Sequence, residues 1–149
     1  MIDYEKLTKN LEERGFTVTH FATGAEAAAY LDNQIDGKTV GFGGSVTLQD
    51  MGLYSRLSLH NKVFWHWEGG FLTDAMDTDV YVTSANGVAE TGEIINIDGT
   101  GNRVASTTYG HKKVYFVIGS NKIAPDYDAA LWRARNIASP KNAQRLNKK

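Results

Sequence analysis

Two glutamates lie in a polar, glycine-rich stretch near the middle of the chain, where acid–base chemistry is conceivable. Glu90 and Glu93 occur in "ANGVAETGE", a few residues after Asn86. A carboxylate beside a bound substrate can act as a general base or as a nucleophile. A pair of loop glutamates is more commonly just solvated, and both interpretations stay open here. We take Glu90 and Glu93 as the candidate catalytic residues and Asn86 as a candidate ligand-binding residue.

A first glycine-rich loop follows a short apolar run. In "VGFGGS", Gly43, Gly44 and Ser45 come directly after a predicted strand. Glycines let the backbone approach a ligand closely, and a following helix N-terminus presents N–H groups to a phosphate or carboxylate. The alternative is a tight turn without a ligand. The loop is neither a P-loop nor a full dinucleotide fingerprint. Ser45 lacks the nucleophile elbow of a hydrolase, so we predict that it donates a hydrogen bond to the ligand.

A second glycine-rich loop, "DGTGNR", precedes a segment whose structure is ambiguous. Arg103–Tyr109 could pair as a strand or form a short helix ending at Gly110, and we prefer the helix. The loop would then form another backbone cradle, with an arginine fork beside it; the alternative is a hairpin turn with an exposed arginine. The end of "KVYFVIGSNKI" could add an amide and an ammonium group, or merely a helix cap and a surface lysine. The ligand-binding candidates from these two segments are Gly99, Gly101, Asn102, Arg103, Asn121 and Lys122.

The remaining reactive and aromatic side chains give weaker signals. The four histidines (20, 60, 66 and 111) show no metal-ligand spacing, so no metal site is predicted. Trp65 and Trp67 fit a core or an interface better than a stacking platform for a ligand.

Helical and extended patterns alternate along the chain, which favours a layered α/β domain. Tyr4, Leu7 and Leu11 share one helical face, and Thr23 with Glu26 has the spacing of a capping box. Thr47 is a candidate cap for a third helix. The predicted strands are "FTVTHF", "KTVGF", "KVFWHW", "DVYVTSA", "GEIINID" and "KVYFVIGS", the last reading as buried on both faces. A helix follows Pro125, with Ala130, Arg133 and Ile137 on one face, and is expected to break at Pro140.

Composition narrows the class of protein. The 149 residues suggest a single domain, and the net charge of −1 gives no sign of a nucleic-acid-binding surface. No run is long and apolar enough for a transmembrane helix, and Met1–Glu5 lacks the features of a signal peptide. We therefore expect a cytoplasmic protein without a membrane partner. The absence of cysteine excludes disulfides, zinc–thiolate sites, cysteine nucleophiles and a cysteine-held iron–sulfur cluster within this chain, and the cofactor is unknown.

Four motifs resemble those of the LUD, or lactate-utilisation, domain family. They are "GFGGSVTLQDMG", "TDVYVTSANGVAETGEIINIDGTGNRVA", "KKVYFVIGSNKI" and "RARNIASPKNAQRL", in family order. The resemblance implies a three-layer α/β/α sandwich with a mostly parallel sheet, of the ribose-phosphate isomerase/CoA-transferase-like superfamily. It also implies a place in bacterial lactate oxidation beside iron–sulfur partner proteins.

Two features depart from the family pattern. Many similar proteins continue beyond "NAQRL" into a cysteine-rich tail, whereas this chain ends at Lys149 without cysteine. The segment from Asn61 to Asp79 is also shorter than in typical members, which often carry an additional helix there. The isomerase's own Asp-Gly-Ala-Asp-Glu pattern is absent, so isomerase activity is not implied.

Three functional hypotheses follow from these observations. The leading one is a small LUD-type protein that binds a small anionic metabolite in a cleft between the two glycine-rich loops. The second is a non-catalytic subunit of a redox complex, with Trp65, Trp67 and Tyr54 exposed at an interface. The third, by superfamily analogy alone, is a glutamate-dependent acyl or CoA transferase or a sugar-phosphate isomerase-like enzyme. Whether the protein is an enzyme stays open, as does a homo-oligomeric state.

Overall fold

The structure, a computed structural model, describes residues 1–146. These residues form two compact units, each assembled from separate stretches of the sequence. The larger unit comprises His20–Ser84 and Asp98–Ile118. The smaller unit comprises Met1–Thr19, Ala85–Ile97 and the described residues from Gly119 onward.

Helices and short strands alternate along the described chain. The strands are β1 (Thr39–Phe42), β2 (Lys62–Phe64), β3 (Val80–Thr83), β4 (Gly87–Ala89), β5 (Ile94–Ile95), β6 (Lys113–Phe116) and β7 (Ile123–Ala124). The α-helices are α1 (Tyr4–Glu13), α2 (Gly24–Gln34), α3 (Val46–Asp50), α4 (Leu53–Leu57), α5 (Asn102–Thr108), α6 (Tyr127–Arg133) and α7 (Ser139–Arg145).

A four-stranded parallel sheet forms the centre of the larger unit. Its strand order is β2-β1-β3-β6, and Val40 of β1 lies opposite Val63 on one side and Val80 on the other. Helices α4 and α5 contact strands of this sheet, and α2 contacts α4. The predicted α/β class with a mostly parallel sheet is confirmed, and the flanking helices fit a three-layer sandwich. The core of this unit consists of Ala28, Leu31, Ile35, Val40, Phe42, Leu48, Leu53, Leu57, Trp65, Val80 and Val82.

Local signals at the helix ends are mostly confirmed. Thr23 and Glu26 form the predicted capping box at the start of α2. The preferred helix after the second glycine-rich loop is present as α5. The predicted cap Thr47 is wrong, because the side chain of Ser45 accepts the hydrogen bond from Leu48 N at the start of α3.

Several strand predictions need correction. "FTVTHF" forms no strand, and most of its side chains are exposed. "KVFWHW" is a strand only as far as Phe64, and a 3₁₀ turn over His66–Glu68 follows. The strand β6, predicted to be buried on both faces, lies at the edge of the described sheet, with Lys113 exposed and its other residues half-buried. An edge strand packs against only one neighbour, so its apolar side chains stay partly accessible.

The smaller unit contains α1, α6, α7 and a three-stranded sheet. The sheet has the order β5-β4-β7, with β4 antiparallel to β5 and parallel to β7. A π-helical turn over Ala134–Ala138 connects α6 to α7. Pro140 lies in the first turn of α7, and the residues directly before it, Ala138 and Ser139, are already in helical conformation at the end of the π-helical turn. The prediction that Pro140 breaks the helix is therefore wrong.

A histidine lies between two carboxylates at the surface of the larger unit. His60 Nε2 is 2.6 Å from Asp32 Oδ1, and His60 Nδ1 is 2.9 Å from Asp36 Oδ1. Arg56 Nε also lies 3.1 Å from Asp32. The hydrogen bond to Asp32, followed by that to Asp36, raises the pKa of His60 above its ordinary value of 6.5. Hydrogen bonds from His60 and Arg56 lower the pKa of Asp32.

We expect His60→Asn to be less stable than the wild type mainly at acidic pH. A raised folded-state pKa means that the charged histidine stabilises the fold below pH 6.5. This contribution is lost as the pH rises through the raised pKa. Urea unfolding across the pH range should show that the difference in free energy of unfolding between the wild type and His60→Asn narrows as the pH increases. A difference in free energy of unfolding that is constant with pH would contradict this link between the pKa of His60 and stability. The same pH-dependent difference in His20→Asn, which replaces an exposed histidine, would also contradict it.

Two kinds of feature are absent from residues 1–146. No helix among them combines the length and apolar character needed to cross a bilayer. Within the same residues, no three His, Asp or Glu side chains are grouped so that they could hold a metal ion.

Candidate functional site

The carboxyl ends of β1, β3 and β6 lie side by side in the larger unit. Gly43 N, just past β1, donates to Val82 O at 3.0 Å, and Val117 N, just past β6, donates to Thr83 O at 2.8 Å. Thr83 and the following Ser84 are fully buried, so polar groups are enclosed where the strands end. The carboxyl ends of parallel strands are where open α/β sheets bind ligands.

Gly43 lies under three side chains at this edge. A Cβ atom built on it would be 2.5 Å from Thr83 Oγ1, 2.9 Å from Tyr81 Oη and 3.0 Å from Arg103 Cγ. The absence of a side chain at Gly43 therefore brings a hydroxyl, a phenol and the stem of an arginine onto one peptide. The sequence indicated Gly43 and Arg103 as candidates, but not Thr83 or Tyr81.

Gly44, the next residue, has an aromatic neighbourhood. A Cβ atom there would be 3.3 Å from the indole of Trp67 and 3.4 Å from His66 Cε1. The Trp67 ring stacks on Trp65 with centroids 5.1 Å apart and planes at 23°. The two consecutive glycines therefore have a polar and an aromatic neighbourhood respectively.

Ser45 is buried and caps α3. Because its oxygen accepts from Leu48 N at 3.3 Å, the hydroxyl proton remains available to donate. The predicted role as a donor to a ligand is compatible with this geometry and stays a prediction.

The second glycine-rich loop contains a carboxylate, that of Asp98, which is bound by neighbouring groups of the same unit. Asp98 Oδ1 accepts from Arg103 Nε at 2.6 Å, and Asp98 Oδ2 accepts from Val104 N at 2.7 Å. The side chain of Arg103 is only 12% exposed, and that of Asp98 only 5%. The carboxylate of Asp98 thus binds both an arginine and the first turn of α5, groups that the sequence analysis assigned to a ligand. Gly99, Gly101 and Asn102 belong to the same loop, and no atom lies near a Cβ built on either glycine.

Tyr81 is a buried phenol directly beneath Gly43. Burial raises its pKa to about 12; Arg103 lowers it and Asp98 raises it to lesser extents. Its ring stacks on His111, with centroids 4.8 Å apart. The phenol therefore stays neutral at physiological pH and can hydrogen-bond without carrying charge.

Glu90 is held by the start of the first helix, within the smaller unit. Its Oε1 accepts from Asp3 N at 3.1 Å, and its Oε2 lies 3.8 Å from Lys6 Nζ. Its backbone carbonyl accepts from Asn10 Nδ2 at 2.8 Å. Glu90 is only 7% exposed, so these contacts hold a buried charge and join α1 to the end of β4.

Glu93 is also engaged by neighbouring side chains. It accepts a short hydrogen bond from Thr91 Oγ1, which lowers its pKa, and pairs with Arg14 at 3.5 Å. A lowered pKa keeps Glu93 ionised but makes it a weaker base. Catalytic roles for Glu90 and Glu93 stay predictions.

Arg133 was not among the predicted site residues, yet it connects two of them. Its Nε donates to Asn121 O at 2.8 Å, and its Nη1 donates to Asn86 O at 2.7 Å. Burial lowers the pKa of this arginine. The sequence feature that could have indicated this role is the position of Arg133 on the same helical face as Ala130 and Ile137. Lys122 closes the short 3₁₀ turn that begins at Ser120.

The predicted site residues divide between the two units. The two glycine-rich loops, with Ser45 and Arg103, belong to the larger unit, where Gly43 and Arg103 meet. The smaller unit contains Asn86, Glu90, Glu93, Asn121 and Lys122.

The aromatic surface predicted for a redox partner is wrong as far as Trp65 is concerned. Trp65 is 3% exposed and packs edge-on against Phe42, with Tyr54 and Trp67 partly buried around it. These rings contribute to the core of the larger unit, so an interface built on Trp65 is excluded.

Comparisons with known proteins give one match. A family model described as "LUD domain" matches residues 4–149, essentially the whole chain. Neither the curated proteins nor the solved structures gave a significant match. The match confirms the resemblance inferred from the four sequence motifs.

Proposed function

Because the chain belongs to the LUD domain family, named for lactate utilisation, we propose that it binds a small carboxylate-bearing metabolite of lactate-type metabolism. The observation that carries this proposal is the meeting of Thr83, Tyr81 and Arg103 over Gly43, at the carboxyl edge of the parallel sheet. Open α/β sheets bind ligands at this edge, and a largely buried arginine there favours an anionic group.

Asp98 has a positioning role in this proposal. An arginine whose Nε is held by a carboxylate has a fixed guanidinium plane, and Asp98 supplies that carboxylate at 2.6 Å. A fixed plane recognises a planar carboxylate at a lower entropic cost than a mobile side chain does. The same pair keeps the local charge balanced before the ligand arrives.

Binding, rather than catalysis, is the activity that the contacts favour. The carboxylates of Glu90 and Glu93 are already engaged with residues of the smaller unit. Ligand contacts from Asn86, Asn121 and Lys122, and an association with iron–sulfur proteins, are further parts of the proposal that rest on sequence alone.

We expect Arg103→Lys to weaken binding of lactate and pyruvate by about tenfold or more, because lysine keeps the charge but loses the planar fork. Isothermal titration with the purified protein would measure this directly. The matched control is Arg56→Lys, since Arg56 also pairs through Nε with an aspartate of the larger unit but at an exposed position.

Two outcomes would contradict the proposal. One is that neither acid binds the wild-type protein; the other is that Arg103→Lys and Arg56→Lys bind equally well. Circular dichroism of each variant would show that a loss of binding is not a loss of folding.

A further inference from the structure

The sequence contains a single asparagine that is followed by glycine, Asn86, in the smaller unit. Glycine has no side chain to shield its backbone nitrogen, so this dipeptide deamidates readily in an unstructured chain. Gly87 N attacks Asn86 Cγ, the new carbon–nitrogen bond closes a succinimide ring, and the side-chain amide nitrogen leaves as ammonia. Water then opens the ring to aspartate, or to isoaspartate, which has an additional carbon in the backbone.

Both reacting groups are held by separate hydrogen bonds. Asn86 Oδ1 accepts from Ile97 N at 2.7 Å, which fixes the side-chain amide that contains Cγ. Asn86 O accepts from Arg133 Nη1 at 2.7 Å. Because this carbonyl and Gly87 N belong to one planar peptide group, the arginine also fixes the direction of the attacking nitrogen. Asn86 N donates to Ile95 O at 2.9 Å, so the preceding peptide group is held as well.

The packing of α6 on β4 adds a further constraint. Gly87 begins β4 and is buried, and a Cβ atom built on it would lie 2.7 Å from Ala130 O, a backbone atom of α6. Arg133, at the end of the same helix, also donates from Nε to Asn121 O at 2.8 Å, so its guanidinium is held at two points. Ring closure rotates the peptide group of Gly87 and therefore requires β4 to separate from α6.

We propose that Asn86 is a latent deamidation site, which Arg133 keeps unreactive in the folded protein. The reaction proceeds only during local opening of the smaller unit, when the hydrogen bond from Arg133 to Asn86 O is broken. Isoaspartate then hinders reclosure, because its additional backbone carbon disturbs the register in which Gly87 lies opposite Ile95. The extent of deamidation therefore reports how often the smaller unit has opened.

The test follows deamidation of the purified full chain at mildly alkaline pH, with the protein either folded or unfolded in urea. Tandem mass spectrometry of the tryptic peptide of residues 63–103 locates the conversion. Asn96 in the same peptide is the internal reference, because the β-branched Ile97 that follows it shields the attacking nitrogen.

Three variants are compared with the wild type. Arg133→Met removes the donor, and Arg133→Lys retains the test if Arg133→Met does not fold. Asp126→Ala is the matched control, because it removes the N-terminal cap of the same helix, α6, without removing a donor to Asn86 O.

We expect Asn86 of the wild type to deamidate at least about tenfold more slowly in the folded protein than in urea, because local opening must come first. Arg133→Met should accelerate the reaction in the folded protein by about tenfold, the factor expected when a hydrogen bond from a charged donor is lost. Arg133→Lys should have a smaller effect, since lysine keeps a charged donor but not the planar fork. In urea all variants should react at the same rate.

Urea unfolding of each variant separates the contact itself from general stability. If Asp126→Ala accelerated deamidation as much as Arg133→Met for the same loss of stability, the inference would be overturned. It would also be overturned if neither Arg133 variant reacted faster than the folded wild type, or if the wild type reacted equally fast folded and in urea. None of these outcomes depends on whether the protein binds lactate, so the inference and the proposed function fail separately.

Discussion

The addition of one methyl group at Gly41 is expected to lower the free energy of unfolding by roughly 3 kcal/mol or more. Gly41 is a buried residue of β1, and a Cβ atom there would overlap Ala75 O and lie 2.9 Å from Ala75 C. The overlapping atoms belong to the backbone of a 3₁₀ turn over Leu72–Ala75. No side-chain rotation can relieve the overlap, so Gly41→Ala must separate the turn from the sheet.

Urea unfolding monitored by circular dichroism would measure the loss. Gly99→Ala is the matched control, because no atom lies within 4 Å of a Cβ built on Gly99. We expect that control to lie within about 0.5 kcal/mol of the wild type, as for most surface substitutions. If Gly41→Ala were as stable as Gly99→Ala, close packing of the 3₁₀ turn on β1 would be disproved.

Features encoded by neighbouring residues were predictable from the sequence. The capping box at Thr23 and Glu26 depends on groups three residues apart, and the structure contains it. The strands β1 and β3 lie at the centre of the sheet, where apolar runs are needed on both faces. "FTVTHF" has the composition of a strand, yet strand formation depends on a neighbouring strand that its sequence cannot report.

The candidate site was predictable only in part, because its contacts also depend on residues that are distant in the sequence. Glycine-rich loops are visible in the sequence, and Gly43 and Gly44 do lie at the sheet edge. The partners of the charged groups are not visible, because they are distant in sequence or compete with a ligand. Glu90 is bound by Asp3 N, 87 positions away. The Nε of Arg103 is bound by Asp98, a partner that the sequence did not indicate.

The second large effect is expected at this aspartate. Asp98→Ala should lower the free energy of unfolding by about 3–5 kcal/mol, because it removes the carboxylate that accepts from the largely buried guanidinium of Arg103. It also removes the acceptor for Val104 N at the start of α5. Urea unfolding of Asp98→Ala, Arg103→Met and the double variant would complete a double-mutant cycle.

The double-mutant cycle distinguishes an ion pair that is shielded from water from an ion pair that is exposed at the surface. The double variant should lose less stability than the sum of the single variants, since it leaves neither charge unpaired. The exposed pair of Lys9 and Glu13, 4.0 Å apart with side chains 76% and 62% exposed, provides the comparison. Exposed pairs of this kind couple by about 0.5 kcal/mol or less. If the pair of Asp98 and Arg103 coupled no more strongly than that, the pair would be effectively solvated. A solvated Arg103 would also lose the fixed orientation on which carboxylate recognition in the proposed site depends.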